Sequence, residues 1–186
     1  MRTLGFLGIS GSLRAKSLNT ALLRAAAASM PENAVLDIAT IRGIPLYDGD
    51  LEAGEGIPPI VQQLKEKIAA ADGLLLVTPE YNNAMPGVFK NAIDWLSRPA
   101  ADIPKVFGNR PVAVIGASPG GFGTILAQND WLPVLRTLGT RPWFGGRLMA
   151  SRASKAFNDA GELTDDALRA QLQEFLRGFA AFAAAP

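Results

Sequence analysis

The residues best equipped for chemistry lie near the start of the chain, between Leu7 and Thr20. Ser10, Ser12, Ser17 and Thr20 supply hydroxyls, Asn19 an amide, and Arg14 and Lys16 positive charge. Hydroxyls and an amide can bond phosphate oxygens without adding bulk. Arg14 can add a charge-assisted bond worth about 1.5–3 kcal/mol. A dianionic phosphate monoester is the natural guest. A plainer role stays open, in which Ser17 or Asn19 caps a helix and both cations are solvated. Two common phosphate motifs fail. Gly11 to Ser17 has the Lys-Ser of a Walker A loop but lacks its second glycine. The dinucleotide pattern G-x-G-x-x-G is also missing from this turn.

The flanking sequence says what must hold these groups. Leu4 to Ile9 is an apolar run that reads as a buried strand. Leu18, Ala21, Leu22 and Ala25 then fall at helical spacing, so the polar loop opens onto a helix N-terminus. Such a terminus carries unpaired N–H groups and partial positive charge, and it favours an anion.

The pattern repeats down the chain. Ala34 to Ala39 reads as a second strand, and Thr40 to Gly56 as a Gly- and acid-rich loop, either a connection or a rim over a ligand. Ile57, Ile60, Val61, Leu64 and Ile68 mark a helix face. Gly73 to Val77 is a continuous apolar run, as in strands covered on both faces. A helix with Val88, Phe89, Ala92, Ile93 and Trp95 follows and breaks at Pro99 to Pro104. Val112 to Ile115 is a fourth strand, with a helix after it to about Leu138, and Arg141 to Phe144 a short fifth. Ser151 to Glu162 reads as irregular. Thr164 can cap a last helix, with Asp165 and Asp166 in its first turn. Trp131, Leu132, Trp143, Phe144 and Met149 suit either the core or a subunit interface.

Strands alternating with helices imply a parallel sheet between helical layers. The expected fold is α/β, a flavodoxin-like three-layer sandwich over residues 1–186. Its five-stranded parallel sheet runs in order 2-1-3-4-5 with helices on both faces. In that topology the loops after strands one, three and four meet at one sheet edge, where ligands bind. Those are the unusual loops of this chain. The second, Pro79 to Gly87, offers the ring of Tyr81 and the amides of Asn82 and Asn83. The third offers Gly116, Gly120, Gly121 and Gly123, where backbone can approach a flat ligand closely. Plain turns remain the alternative for both. A phosphate site beside a place for a planar ring with carbonyls describes FMN.

Composition narrows the chemistry. The chain of 186 residues has neither cysteine nor histidine. Disulfides, thiolate nucleophiles, Ser-His-Asp catalysis and Cys- or His-based metal sites are excluded. A cofactor is then expected to carry the hard chemistry. A formal net charge of +1 gives no case for nucleic acid or a membrane surface. No apolar run is long enough to span a bilayer, and the first strand leaves no room for a signal peptide, so a cytoplasmic location is expected.

Gly11-Ser12-Leu13-Arg14…Ser17…Asn19, Pro79-Glu80-Tyr81-Asn82…Pro86-Gly87…Lys90-Asn91…Asp94-Trp95 and the Ser118-Gly120-Gly121 loop resemble the NADPH-dependent FMN reductase family. The likeness covers nearly the whole chain and is greatest to the bacterial chromate and quinone reductases, sometimes described as azoreductase-like. Asn83 and Ala84 depart from it, where relatives often carry an aromatic and a small polar residue.

The resemblance implies tightly bound, non-covalent FMN with NAD(P)H as co-substrate. It implies Ser10, Ser12, Leu13, Arg14, Ser17, Asn19 and Thr20 around the phosphate, Pro79, Glu80, Tyr81 and Asn82 along the isoalloxazine, and Ser118, Gly120 and Gly121 closing on the ring. It implies a homodimer or homotetramer with the flavin near an interface. The expected reaction is ping-pong hydride transfer from NAD(P)H through FMN to a quinone, or to chromate, an azo compound or free flavin. No catalytic side chain and no metal are expected. Glu80 is the only carboxylate in the loops facing the ring, and helix capping or a surface role is open to it. The alternatives are a flavodoxin-type electron carrier without its own substrate site, and a flavin-free binder of a phosphorylated metabolite.

Overall fold

The computed structural model describes residues 2–185. The apolar run at the start forms β1 (Leu4–Ser10), and the polar loop after it leads into α1 (Leu18–Ala28). Then come β2 (Ala34–Thr40), α2 (Gly49–Glu55), α3 (Pro59–Ala70), β3 (Gly73–Val77), α4 (Gly87–Leu96) and the short α5 (Ile103–Val106). The chain closes with β4 (Pro111–Ala117), α6 (Ile125–Thr137), β5 (Arg141–Pro142), β6 (Met149–Ala150) and α7 (Asp166–Ala184).

The sheet is parallel in the order β2-β1-β3-β4-β5, with β6 also on β4. This is the flavodoxin-like order expected. Alternation along the strands sends side chains to two cores. Phe6, Leu75, Val77 and Ile115 join Leu22 and Leu23 of α1 and Leu172 and Phe179 of α7 on one face. Leu7, Ile9, Leu74 and Leu76 join Val61 of α3, Phe89 of α4 and Trp131 of α6 on the other.

Several elements differ from expectation. The Thr40–Gly56 stretch contains α2, which buries no residue and so gives no periodic apolar signal. The break at Pro99–Pro104 holds a 3₁₀ turn and α5. The fifth strand position is split. β5 pairs low on β4, the chain leaves the sheet, and β6 pairs higher, opposite Gly116 and Ala117. Trp143 turns away from the strand to pack edge-on against Phe175 of α7. The cap of α7 is Asp165, whose carboxylate accepts from Leu168 N at 2.9 Å, while Thr164 donates to Ala156 O.

Candidate functional site

The parallel register brings the β1–α1, β3–α4 and β4–α6 loops to one edge, and backbone bonds lace their roots. Gly11 N donates to Val77 O, and Thr78 N to Ile115 O, both at 2.9 Å. Gly11 is required by packing: a Cβ there would lie 2.1 Å from the Phe89 ring. Gly116 is required likewise, since its Cβ would meet Thr124 Oγ1 at 1.9 Å and Thr78 O at 2.3 Å. The two closest approaches among these glycines therefore join the loops to each other.

In the β1–α1 loop, Ser17 is the N-cap of α1, accepting from Thr20 N at 3.2 Å. The capping role and a ligand role are compatible, because the hydroxyl proton is not used by that bond. Ser12 Oγ accepts from Arg14 N at 3.3 Å. Ser10, at the end of β1, pairs its hydroxyl with that of Thr20 at 2.8 Å. Asn19 is buried and bonded twice to the backbone of Ala117, through Nδ2 to its O and from its N to Oδ1, both at 2.9 Å. Ser10 and Asn19 thus bind α1 to the sheet rather than facing outward. Arg14 and Lys16 are exposed and form no ion pair among the described residues. With Ser17, Arg24, Pro119 and Asn158 they line a cleft of about 420 Å³.

The β3–α4 loop is a tight hairpin. Tyr81 and Ala84 exchange both backbone bonds, and Asn82 and Asn83 both have positive φ, 52° and 63°. That is the pattern of a type I′ turn, which asparagine tolerates and most residues do not. Tyr81 is exposed at its base. Glu80 Oε2 accepts from Leu126 N and Ala127 N of α6 at 2.9 and 3.0 Å. Helix capping, left open from the sequence, is its role here. Asp130 Oδ2 of α6 accepts from Met85 N at 3.1 Å.

In the β4–α6 loop, Ser118 Oγ accepts from Gly120 N at 3.1 Å, while Gly120 O and Ser118 O accept from Arg152 N and Ala153 N. Gly120 and Gly121 are exposed. Phe122 beside them is 82% exposed. Ile125, Leu132 and Phe144, the last 71% exposed, line a separate cleft of about 270 Å³.

Sequence reading missed Arg42, whose guanidinium reaches Leu13 O and ties the segment after β2 to the first loop. It also missed the strap that follows. Tyr47 N donates to Asn91 Oδ1 of α4, Trp95 Nε1 to Pro45 O, and Arg98 Nε to both oxygens of Glu52. The Arg98 bond holds the Glu52 carboxyl below its ordinary range. The bond to Glu52 and partial burial raise the Tyr47 phenol. Asn91 and Trp95 belong to the quoted motif, but nothing in their spacing names a partner so far away.

No group of acids able to hold a metal occurs among the described residues, and no helix is long and apolar enough to cross a membrane. The donor set fits FMN: hydroxyls and exposed cations at a helix N-terminus, beside open backbone and an exposed ring at the same sheet edge.

Known proteins resemble this chain over nearly its whole length. An NAD(P)H-dependent FMN reductase of Pseudomonas aeruginosa is 46% identical over 171 residues, covering 92% of this chain and 90% of that protein. A 2-hydroxy-1,4-benzoquinone reductase of a Burkholderia species is 37% identical over 174 residues, covering 94% and 93%. The solved structure of FerB, a flavoenzyme NAD(P)H:(acceptor) oxidoreductase from Paracoccus denitrificans, superposes with a TM-score of 0.86 at 33% identity, covering 97% of each chain. Residues 5–155 match the family described as NADPH-dependent FMN reductase. With a match spanning all three loops and relatives well above a third identical over nearly their full length, this chain belongs to the NADPH-dependent FMN reductase family.

Proposed function

We propose that the protein is an FMN-dependent NAD(P)H oxidoreductase acting on a quinone in ping-pong order. Its overall balance is NAD(P)H, a proton and a quinone giving NAD(P)⁺ and a hydroquinone. The observation that carries this reading is the convergence of a cation- and hydroxyl-rich helix N-terminus with two stiff, partly side-chain-free loops at one edge of the sheet. The family and the relatives named as FMN and quinone reductases support it.

FMN bound here would supply two-electron hydride chemistry between NAD(P)H and the quinone. Everything else falls to the chain's own groups. Ser12, Arg14 and Ser17 would hold the phosphate, with the loop backbone at Leu13 shaping their turn. Pro79, Tyr81 and Asn82, with Ser118, Gly120 and Gly121, would hold the ring. Ser10, Thr20, Asn19 and Glu80 support these groups through bonds inside the protein. Orientation and backbone donors do the work, and no side chain acts as acid or base.

We also propose self-association through the exposed apolar residues Ile125, Leu132 and Phe144, which line one cleft. The activity is tested by steady NADPH oxidation with a quinone added to the purified, FMN-loaded protein. Sustained turnover is expected. A preparation that carries FMN yet turns over only when a separate reductase is added would make it an electron carrier instead. A colourless protein that FMN cannot reconstitute would favour a flavin-free binder.

A further inference from the structure

We propose that Glu80 is a positioning residue that couples the β3–α4 and β4–α6 loops, so that the two walls of the flavin crevice move as one body. The inference rests on the reading that FMN binds in this crevice.

Helix α6 begins without a local cap. Thr124 makes no capping bond from its side chain, and no acid lies in the first turn. The Thr124 hydroxyl instead accepts from Gln128 Nε2 at 3.1 Å. Two backbone N–H groups of that turn would lack partners, and Glu80 takes both through one oxygen. An anionic acceptor at the positive end of a helix gains from the dipole as well. The cap therefore comes from another loop, 46 and 47 residues earlier in the chain.

The helix returns two ties to the same loop. Trp131 Nε1 donates to Thr78 Oγ1 at 3.1 Å, and Asp130 Oδ2 accepts from Met85 N at 3.1 Å. The loop is thus held before the hairpin, at its base and after it. Between these points the hairpin is stiffened by its own two cross-strand bonds. On the other side, the start of α6 is also the end of the glycine loop, which turns at Gly123 with φ of 64°. The tether at Leu126 and Ala127 thus fixes the end of the loop that carries Gly120 and Gly121. Glu80 stands where the two walls meet, with its carboxylate committed to α6 rather than to the ring.

The test compares Glu80→Ala with Glu80→Gln, whose amide oxygen can still accept both bonds. Two quantities are read: amide hydrogen exchange of the apoprotein, and its affinity for FMN. Glu80→Ala should speed exchange about 10-fold or more at Leu126 and Ala127, and also at the hairpin amides of Tyr81 and Ala84. It should weaken FMN by about 10-fold or more, while Glu80→Gln stays within about 3-fold. If Glu80→Ala does not fold, Asp130→Ala takes its place, with faster exchange expected at Met85 and Ala84 and weaker FMN binding. Faster exchange confined to the first turn of α6, with FMN affinity unchanged, would reduce Glu80 to a simple cap and overturn the proposal. Equal damage from the Gln and Ala variants would overturn it too, because charge and not the tether would then matter. If the wild-type protein fails to bind FMN, the cofactor reading fails, and the exchange pattern at the hairpin still decides the coupling.

Discussion

Arg14 forms no ion pair among the described residues and lies beside hydroxyls at the opening of α1. Arg14→Ala should weaken FMN by about 10–100-fold through loss of one charge-assisted bond, measured by titrating apoprotein. Unchanged affinity would place the side chain in solvent. Asn83 has a different task, since its φ of 63° is demanded by the two-residue turn. Asn83→Val should cost about 1–2 kcal/mol in thermal denaturation, whereas Asn83→Gly should be tolerated. At this scale the residue types were legible, because hydroxyls, cations and a ring announce themselves. Their partners were not. Asn19 bonds Ala117, 98 positions away, and Glu80 bonds a helix whose own start shows no sign of needing it. Only folding brings such pairs together, and no local periodicity records them.

At the scale of elements, strands and helices with a buried face were readable because burial imposes a period. β3 is apolar throughout and buried throughout. Where burial is absent the signal disappears, as in α2, which is held by its Asp48 cap and by polar bonds to Arg98 and Tyr47. That strap should respond to acid. The Glu52 carboxyl titrates below its ordinary range in the folded protein, so its contribution is fully present above that range and is lost as the pH falls through the lowered value. Hydrogen exchange at the Tyr47 amide should therefore rise in acid beyond its intrinsic pH dependence, and Glu52→Gln should remove that excess. At the start of α7, Asp165 shows how a boundary slips by a residue. Thr164 and Asp165 are both good caps by type, and the Thr164 hydroxyl is taken by Ala156 O. Asp165→Ala should cost about 1 kcal/mol, while Thr164→Ala should leave the first turn of α7 capped.

For the molecule as a whole, strand order and layer arrangement followed from alternation and connection rules, and three loops followed from the strand order. The split of the fifth strand position did not, because β5 and β6 are two residues each and the chain between them leaves the sheet after Trp143, whose ring packs on α7. The apolar cleft lined by Ile125, Leu132 and Phe144 belongs to this scale. Phe144→Asp should shift sedimentation toward a smaller species without loss of the fold. The central claim is that a phosphate anchors a flavin at the start of α1. It is tested most directly by titrating the apoprotein with FMN and, in parallel, with riboflavin, following flavin fluorescence. FMN should bind saturably and riboflavin at least about 10-fold more weakly, since it lacks the group that the loop and its cations hold. Equal affinity for the two flavins, or none for either, would contradict the account.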